Sequence, residues 1–280
     1  MGGTRAVFLD VDGTLVNDRG LVPDSARQAV REARANGHRV FLCTGRSPAE
    51  LWPELTDIGF DGLIAASGAF VEVGTDELLH RSLTRQEVEH VVGFFEARRV
   101  NSYFQANDGI YATSEVRELL RRLIAGSVTD VEVLAELESG LFGFVDAIKI
   151  GVDPYLPSIT KVIYLFSDVT LDELRAEFAD SFVVIPSSVP LFGPTSGELM
   201  LPGVNKATGI DVLLAHVGVA RADTIAIGDS YNDVEMLEHV AVGVAMGDAP
   251  EAVKAIADEV TAAVDEDGIR LSFLRHGLIG

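Results

Sequence analysis

The sequence predicts an α/β fold: a Rossmann-like parallel-sheet core with helices on both faces, plus an inserted α+β cap domain. Three observations carry this reading. Three apolar runs end abruptly in small polar or acidic residues: Val7-Phe8-Leu9-Asp10, Val40-Phe41-Leu42-Cys43-Thr44-Gly45-Arg46 and Thr224-Ile225-Ala226-Ile227-Gly228-Asp229-Ser230. Each run is joined to a helical pattern, the alternation expected of a doubly wound parallel sheet. The middle of the chain breaks this rule and mixes helices with alternating strands from about Ser82 to Ser196. The 280 residues thus divide into core segments 1–81 and 200–280 and a cap over 82–199.

Ala6-Val7-Phe8-Leu9 is apolar without interruption, as a strand buried on both faces should be. Asp24 to Asn36 follows as a helix with Ala26, Ala29, Val30 and Ala33 on one face, Asp24 or Ser25 as its N-cap and Asn36-Gly37 as its stop. After the second run, Ser47-Pro48 reads as a helix start. Phe70-Val71-Glu72-Val73 and Leu78-Leu79-His80 flank Gly74-Thr75-Asp76 as a hairpin. In the cap, Thr84 to Arg98 is amphipathic through Val88, Val91, Val92 and Phe95. Strands are expected over Asn101–Gln105 and Ile110–Thr113, around the Asp108-Gly109 turn. Lys161–Phe166 and Phe182–Ile185 are further strands, with a helix over Leu171–Ala179 between them. The Gly- and Pro-rich stretch from Pro190 to Gly203 reads as a return crossing. Ala207 to Val217 is a helix, and Val234, Leu237 and Val240 recur at helical spacing after the third core run.

Composition narrows the function. Hydrophobic residues make up 48% of the chain, enough for a packed core. No apolar run reaches transmembrane length, and the N-terminus runs directly into the first strand without space for a signal peptide, so a cytoplasmic protein is expected. With 43 acidic against 22 basic residues the net charge is −21, which disfavours nucleic acid and anionic membranes as partners. An anionic substrate must therefore be met by local positive charge. The single cysteine, Cys43, lies in a predicted buried strand and is expected to be inert. The six histidines are scattered without ligand spacing.

In open α/β sheets ligands bind beyond the carboxyl ends of the strands, where the polar residues of all three runs fall. Asp10 and Asp12 stand at i and i+2 just past a buried strand, a costly placement unless a cation or hydrogen bonds compensate. The pair suits a division of labour in which one carboxylate attacks and the other moves protons. Phosphoryl transfer asks for such a pair, together with a divalent metal and fixed donors for the phosphoryl oxygens. Thr44-Gly45-Arg46 offers a hydroxyl, backbone N–H groups and a cation, a phosphate cradle. Lys206, one of only four lysines, opens a helix, where the dipole disfavours it and an anionic partner is implied. Asp229 and Asp233 are four apart, a spacing that lets both face one cation. Oxygen-only ligands point to Mg²⁺ rather than zinc.

In order, Asp10-x-Asp12-Gly13-Thr14, Thr44, Lys206 and Gly228-Asp229-x-x-Asn232-Asp233 resemble the four motifs of the haloacid dehalogenase superfamily phosphatases. The cap placed after the third core strand, Val242-Gly243-Val244-Ala245-Met246-Gly247, Thr261 and Asp265-Glu266-Asp267-Gly268 resemble its Cof-type branch. The resemblance implies a Mg²⁺-dependent phosphatase acting on a small phosphorylated metabolite, a sugar phosphate or phosphorylated cofactor. Asp10 would form an aspartyl-phosphate, and Asp12 would act as general acid and then activate water. Thr44, Gly45, Lys206 and Asn232 would hold phosphate. Asp10, the Asp12 carbonyl and Asp229 would bind the metal, and Asp233 would orient its shell. Arg46 and Ser67 are candidates for substrate contact, although Ser67-Gly68 stands where relatives often carry Asn-Gly. The implied cap supplies the leaving-group pocket; Lys149 and Lys161 could meet an anion there, but exposed strand lysines are the plainer reading. A sugar phosphomutase and a non-catalytic binding protein are the rival functions, and a monomer or homodimer is expected.

Overall fold

The computed structural model describes residues 3–127, 145–151, 153, 155–156, 158–187 and 190–280, and the statements below concern these. Strands are numbered along the chain. β1 is Ala6–Leu9, β2 Arg39–Cys43, β3 Gly62–Ala65, β4 Phe70–Val73 and β5 Asp76–His80. β6 is Asn101–Ala106, β7 Gly109–Ala112, β8 Lys149–Ile150, β9 Ile159–Leu165, β10 Val183–Pro186 and β11 Gly197–Met200. β12 is Thr224–Gly228, β13 Val242–Ala245 and β14 Glu259–Val260. The chain divides into two compact units, one of residues 1–46, 51–80 and 205–280, the other of 47–50 and 81–204.

The first unit holds one eight-stranded sheet in the order β14-β13-β12-β1-β2-β3-β4-β5. Its strands run parallel from β14 to β3, and β4 and β5 add an antiparallel edge. Strand alternation sends Val7, Leu9, Val40, Leu42, Ile225 and Ile227 to one core layer with Ala26, Ala29, Val30, Ala33 and Phe273. Ala6, Phe8, Phe41, Cys43 and Ala226 go to the other, against Ile210, Leu213, Leu214 and Met236. Every residue of β1 is therefore buried, as its unbroken apolar run requires. Two local details differ from expectation. The helix spans Asp24–Ala35 with Pro23 at its N-cap, because proline's fixed φ suits an entry with no N–H to satisfy. Ser47-Pro48 opens only the single 3₁₀ turn Pro48–Glu50, since Pro53 cannot donate to a continuing helix and a new one starts there.

The second unit carries a six-stranded sheet in the order β10-β11-β9-β6-β7-β8. All its pairings are antiparallel except β7 with β8. Phe95, from the helix Arg85–Arg98, and Phe178 stack edge-to-face at 5.9 Å, and Phe95 also meets Tyr164 of β9. Val116, Leu120 and Ile124 of the helix Ser114–Ser127 join a cluster with Tyr103, Ile163 and Leu165 from the alternate positions. The stretch read as a return crossing contains β11, a strand inside this sheet rather than a connection. Gly197 sits there because a Cβ would collide with the Ile185 carbonyl and the Tyr164 ring, so a residue that lowers strand propensity is required by close packing. Lys161 is likewise not an exposed strand lysine: its side chain is 6% exposed and pairs with Glu198 at 2.8 Å. Lys149 is 40% exposed and bonds Asp108 and Tyr111. No described helix is long and apolar enough to cross a membrane.

Candidate active site

The carboxyl ends of β1 and β12 bring the acidic motifs together. Asp10, the residue after β1, is fixed by its N–H donating to the Ile227 carbonyl at 3.0 Å. Its side chain is buried, and Lys206 Nζ lies 2.5 Å from Oδ1. The same ammonium sits 2.5 Å from Asp233 Oδ1. Lys206 is the first residue of the helix Lys206–Val217, whose N-cap Asn205 exchanges bonds with Thr208 in a capping box. A lysine opposes the helix dipole there, and the two carboxylates compensate.

Asp233 is fully buried and organises the turn after β12. Its Oδ2 accepts from the Asp229 and Ser230 N–H groups at 3.1 and 3.0 Å. Asp229 accepts from the Thr14 hydroxyl at 3.1 Å. A Cβ on Gly13 would strike the Asp229 carboxylate, and Gly13 also has φ +78°, so glycine is demanded twice. Asn232 is half-buried, and its carboxamide oxygen accepts from the Ser230 hydroxyl at 2.6 Å. Among the described residues it makes no hydrogen bond to Lys206.

On the neighbouring strand, Thr44 is buried and its hydroxyl accepts from the Arg46 N–H at 3.1 Å, which leaves the hydroxyl proton to donate. Arg46 does not stand alone as a cation. Its Nε and a terminal nitrogen bond the two oxygens of Asp12 at 2.8 and 2.7 Å. Ser67 lies in a turn in which Ala66, Ser67 and Gly68 all have positive φ, at 48°, 55° and 101°. The Ala66 and Ser67 N–H groups donate to the Arg46 and Thr44 carbonyls at 2.7 and 3.0 Å. Gly68 leaves no space for a Cβ against the Asn205 backbone. This strained turn therefore braces both the Thr44 loop and the helix that carries Lys206. Sequence reasoning flagged Ser67 but not the bracing role; its only signal was an Ala-Ser-Gly run directly after a buried strand.

Electrostatics set the chemistry. Burial, then repulsion from Asp233, pushes the Asp10 carboxyl well above its ordinary range, while Lys206 pulls it back. Burial and Asp233 push Asp229 up to about 7. Burial acts to lower Lys206, but Asp10 and Asp233 outweigh it, so its pKa is raised and it stays an ammonium. Burial also raises Cys43, an unreactive thiol. Asp10, Asp229 and Asp233 each bring a carboxylate oxygen within 4.8 Å of the others. Three carboxylates against one ammonium leave an excess of negative charge. The all-oxygen donor set and the strained ionisation of Asp229 fit a hard divalent cation such as Mg²⁺. The arrangement can thus hold a hard cation and a phosphoryl group side by side, with a carboxylate against each.

Comparison with known proteins shows the family. Residues 7–272 match the sequence profile of the haloacid dehalogenase-like hydrolases. A 5-amino-6-(5-phospho-D-ribitylamino)uracil phosphatase of Bacillus subtilis, YcsE, is 30% identical over 278 residues, covering 98% of this chain and 96% of its own. Phosphatase YwpJ of the same organism is 28% identical over 284 residues, covering 95% and 97%. Among solved structures, a subclass IIB sugar phosphatase of the superfamily superposes with a TM-score of 0.77 at 28% identity, covering 99% of this chain and all of the other. A Geobacillus kaustophilus protein superposes with a TM-score of 0.79 at 26% identity, over 99% of this chain and all of its own. This chain therefore belongs to the haloacid dehalogenase-like hydrolases as a phosphatase of the Cof type.

Proposed function

We propose that the protein is a Mg²⁺-dependent phosphatase that hydrolyses a phosphomonoester of a small metabolite through an aspartyl-phosphate on Asp10. The observation that carries this reading is the Lys206 ammonium held 2.5 Å from both Asp10 and Asp233. Lys206 occupies one Asp10 oxygen, and the other is left to attack phosphorus. The same ammonium and the Thr44 hydroxyl, with the Gly45 N–H, stabilise negative charge on the phosphoryl oxygens as it develops. Asp12 gives a proton to the leaving oxygen and then takes one from the water that cleaves the aspartyl-phosphate. Asp10, Asp229 and the Asp12 carbonyl would hold Mg²⁺, with Asp233 orienting the shell. When bound there, the ion would offset the negative charge of the phosphoryl group.

Residues 82–199 serve as the cap that selects the leaving group. A sugar phosphate or a phosphorylated cofactor precursor is the favoured class, because relatives similar along the whole chain are named for such compounds. The test is phosphate release over a panel of phosphorylated metabolites and p-nitrophenyl phosphate, with Mg²⁺ or with chelator. Asp10→Asn should abolish turnover and chelator should suppress it reversibly. Undiminished turnover by Asp10→Asn would overturn the covalent route. Isomerisation of a hexose phosphate without phosphate release would overturn hydrolysis.

A further inference from the structure

Asp12 poses a problem that the nucleophile does not. Asp10 is buried and fixed, whereas the Asp12 side chain is 57% exposed and lies three residues past the strand end at Leu9. An exposed aspartate samples several rotamers, and a proton donor must hold one of them at the leaving oxygen. The structure supplies a clamp. Arg46 Nε donates to Asp12 Oδ2 at 2.8 Å while a terminal Arg46 nitrogen donates to Oδ1 at 2.7 Å, a fork that fixes both carboxylate oxygens in one plane. The fork is itself held. The guanidinium lies over the Trp52 ring at 5.2 Å from its centroid, and the Arg46 backbone is tied to the Thr44 hydroxyl and, through its carbonyl, to Ala66. Trp52 thereby restricts a side chain that otherwise carries much rotamer entropy.

We propose that Arg46 is a positioning residue for leaving-group protonation: its Trp52-backed fork holds the Asp12 side chain where the leaving oxygen departs, and Asp12 takes a proton from solvent on its exposed side, passes it to that oxygen and is left as the carboxylate that the fork grips. The proposal rests on the assignment of Asp12 to proton transfer made above. It assigns Arg46 to the proton-transfer partner rather than to the transferred phosphoryl group. A lysine could not take its place, because a point charge on a flexible stem offers no planar fork.

Leaving-group dependence separates the alternatives. An alkyl phosphate needs a proton on its departing alkoxide, while p-nitrophenolate departs without one. Arg46→Ala and Arg46→Lys are to be assayed with Mg²⁺ on a hydrolysed sugar phosphate and on p-nitrophenyl phosphate, after thermal melts show both variants folded. The expected result is a loss in kcat of about 30- to 100-fold on the sugar phosphate and under about threefold on the aryl phosphate, with KM little changed on either. Guanidinium ion added to Arg46→Ala should restore sugar-phosphate turnover selectively. Equal losses on both substrates, or a rise in KM alone, would assign Arg46 to the phosphoryl group and overturn the proposal. So would full activity of Arg46→Lys. Asp10→Asn run in parallel keeps the two readings apart: if it retains aryl-phosphate turnover, the phosphatase mechanism fails, whatever Arg46 does.

Discussion

Two of the four lysines are buried, one in each unit, and both are paired with carboxylates. Lys206, in the first unit, is fully buried and shared between Asp10 and Asp233 at 2.5 Å each. Lys161, in the second, lies in the sheet with Glu198 at 2.8 Å. The surroundings differ more than the bonds do. Lys206 sits where parallel strands end and backbone N–H groups, hydroxyls and three carboxylates converge. Lys161 sits within an antiparallel sheet, with Gln105 and Met200 as its register partners on adjacent strands. A buried ion pair is thus weak evidence of function by itself. What marks the first pair as chemical is three carboxylates around one ammonium, a charge excess that bound protons or a further cation must offset.

The largest expected effect tests that contrast directly. Lys206→Met leaves Asp10 and Asp233 buried without their ammonium, and should cost about 3–5 kcal/mol of stability. Turnover of p-nitrophenyl phosphate should fall by about 10³-fold or more, beyond rescue by added Mg²⁺. Replacing Lys161 and Glu198 together, as Lys161→Met with Glu198→Leu, removes both charges at once and should be neutral or stabilising by about 1–4 kcal/mol. Turnover of the aryl phosphate by that double variant should stay within about threefold, since neither residue is among those proposed to act on the phosphoryl group. Urea melts and initial rates on the two variants check both halves. A double variant as inactive as Lys206→Met would erase the distinction between the pairs.

This difference also explains what could be read from the sequence. The core site was legible because its chemistry is written locally. Asp10 and Asp12 adjoin a strand that is apolar throughout, and Asp229 and Asp233 share one turn, so two short spacings fix most of the cluster. A parallel sheet with its strand ends at one site followed from the three matching runs, but the order β12-β1-β2 within it did not, since nothing local says which strand pairs with which. Lys161 was misread because its burial depends on Glu198, 37 positions on, in a strand hidden within a Gly- and Pro-rich stretch. Neither residue carries a local sign of the other. The turn at Ala66–Gly68 was illegible for a related reason. Left-handed alanine and serine are disfavoured on their own, and only the fixed positions of Thr44, Arg46 and Asn205 enforce them.

A mid-sized effect sharpens the argument from charge imbalance. Asp229 is raised from 3.8 to about 7, so between those values the folded protein holds a proton that the unfolded chain has shed. Metal-free stability from this group therefore declines as pH rises through that window, and the full cost stands above about pH 7. A divalent cation binds the ionised form and offsets that cost. Saturating Mg²⁺ should accordingly raise Tm more at pH 8 than at pH 6, and Mg²⁺ binding at pH 6 should release protons into the buffer. Differential scanning fluorimetry gives the first result, and calorimetry in buffers of different ionisation enthalpy gives the second. An equal Tm shift at both pH values would mean that Asp229 is not part of the cation's ligand set.

The smallest expected effect compares one local device across the two units. Thr84 and Thr170 in the second unit and Asn205 in the first each close a capping box. The Thr84 and Thr170 side chains each accept an N–H at 3.3 Å, and Asn205 accepts one from Thr208 at 2.9 Å. Each cap satisfies the same two backbone N–H groups, so alanine at any of the three should cost about 1 kcal/mol of stability. Activity should not follow stability. Asn205 adjoins Lys206, and its backbone packs against Gly68, so loosening that helix start frees the ammonium to drift from Asp10. Displacement by a fraction of an ångström matters for a charge that must meet the transition state. Asn205→Ala should therefore lose about 5- to 20-fold in kcat, against less than twofold for Thr84→Ala, with matched melts for the two variants. Equal kinetics would show that Lys206 is held by its carboxylates alone, with no help from the cap of its helix.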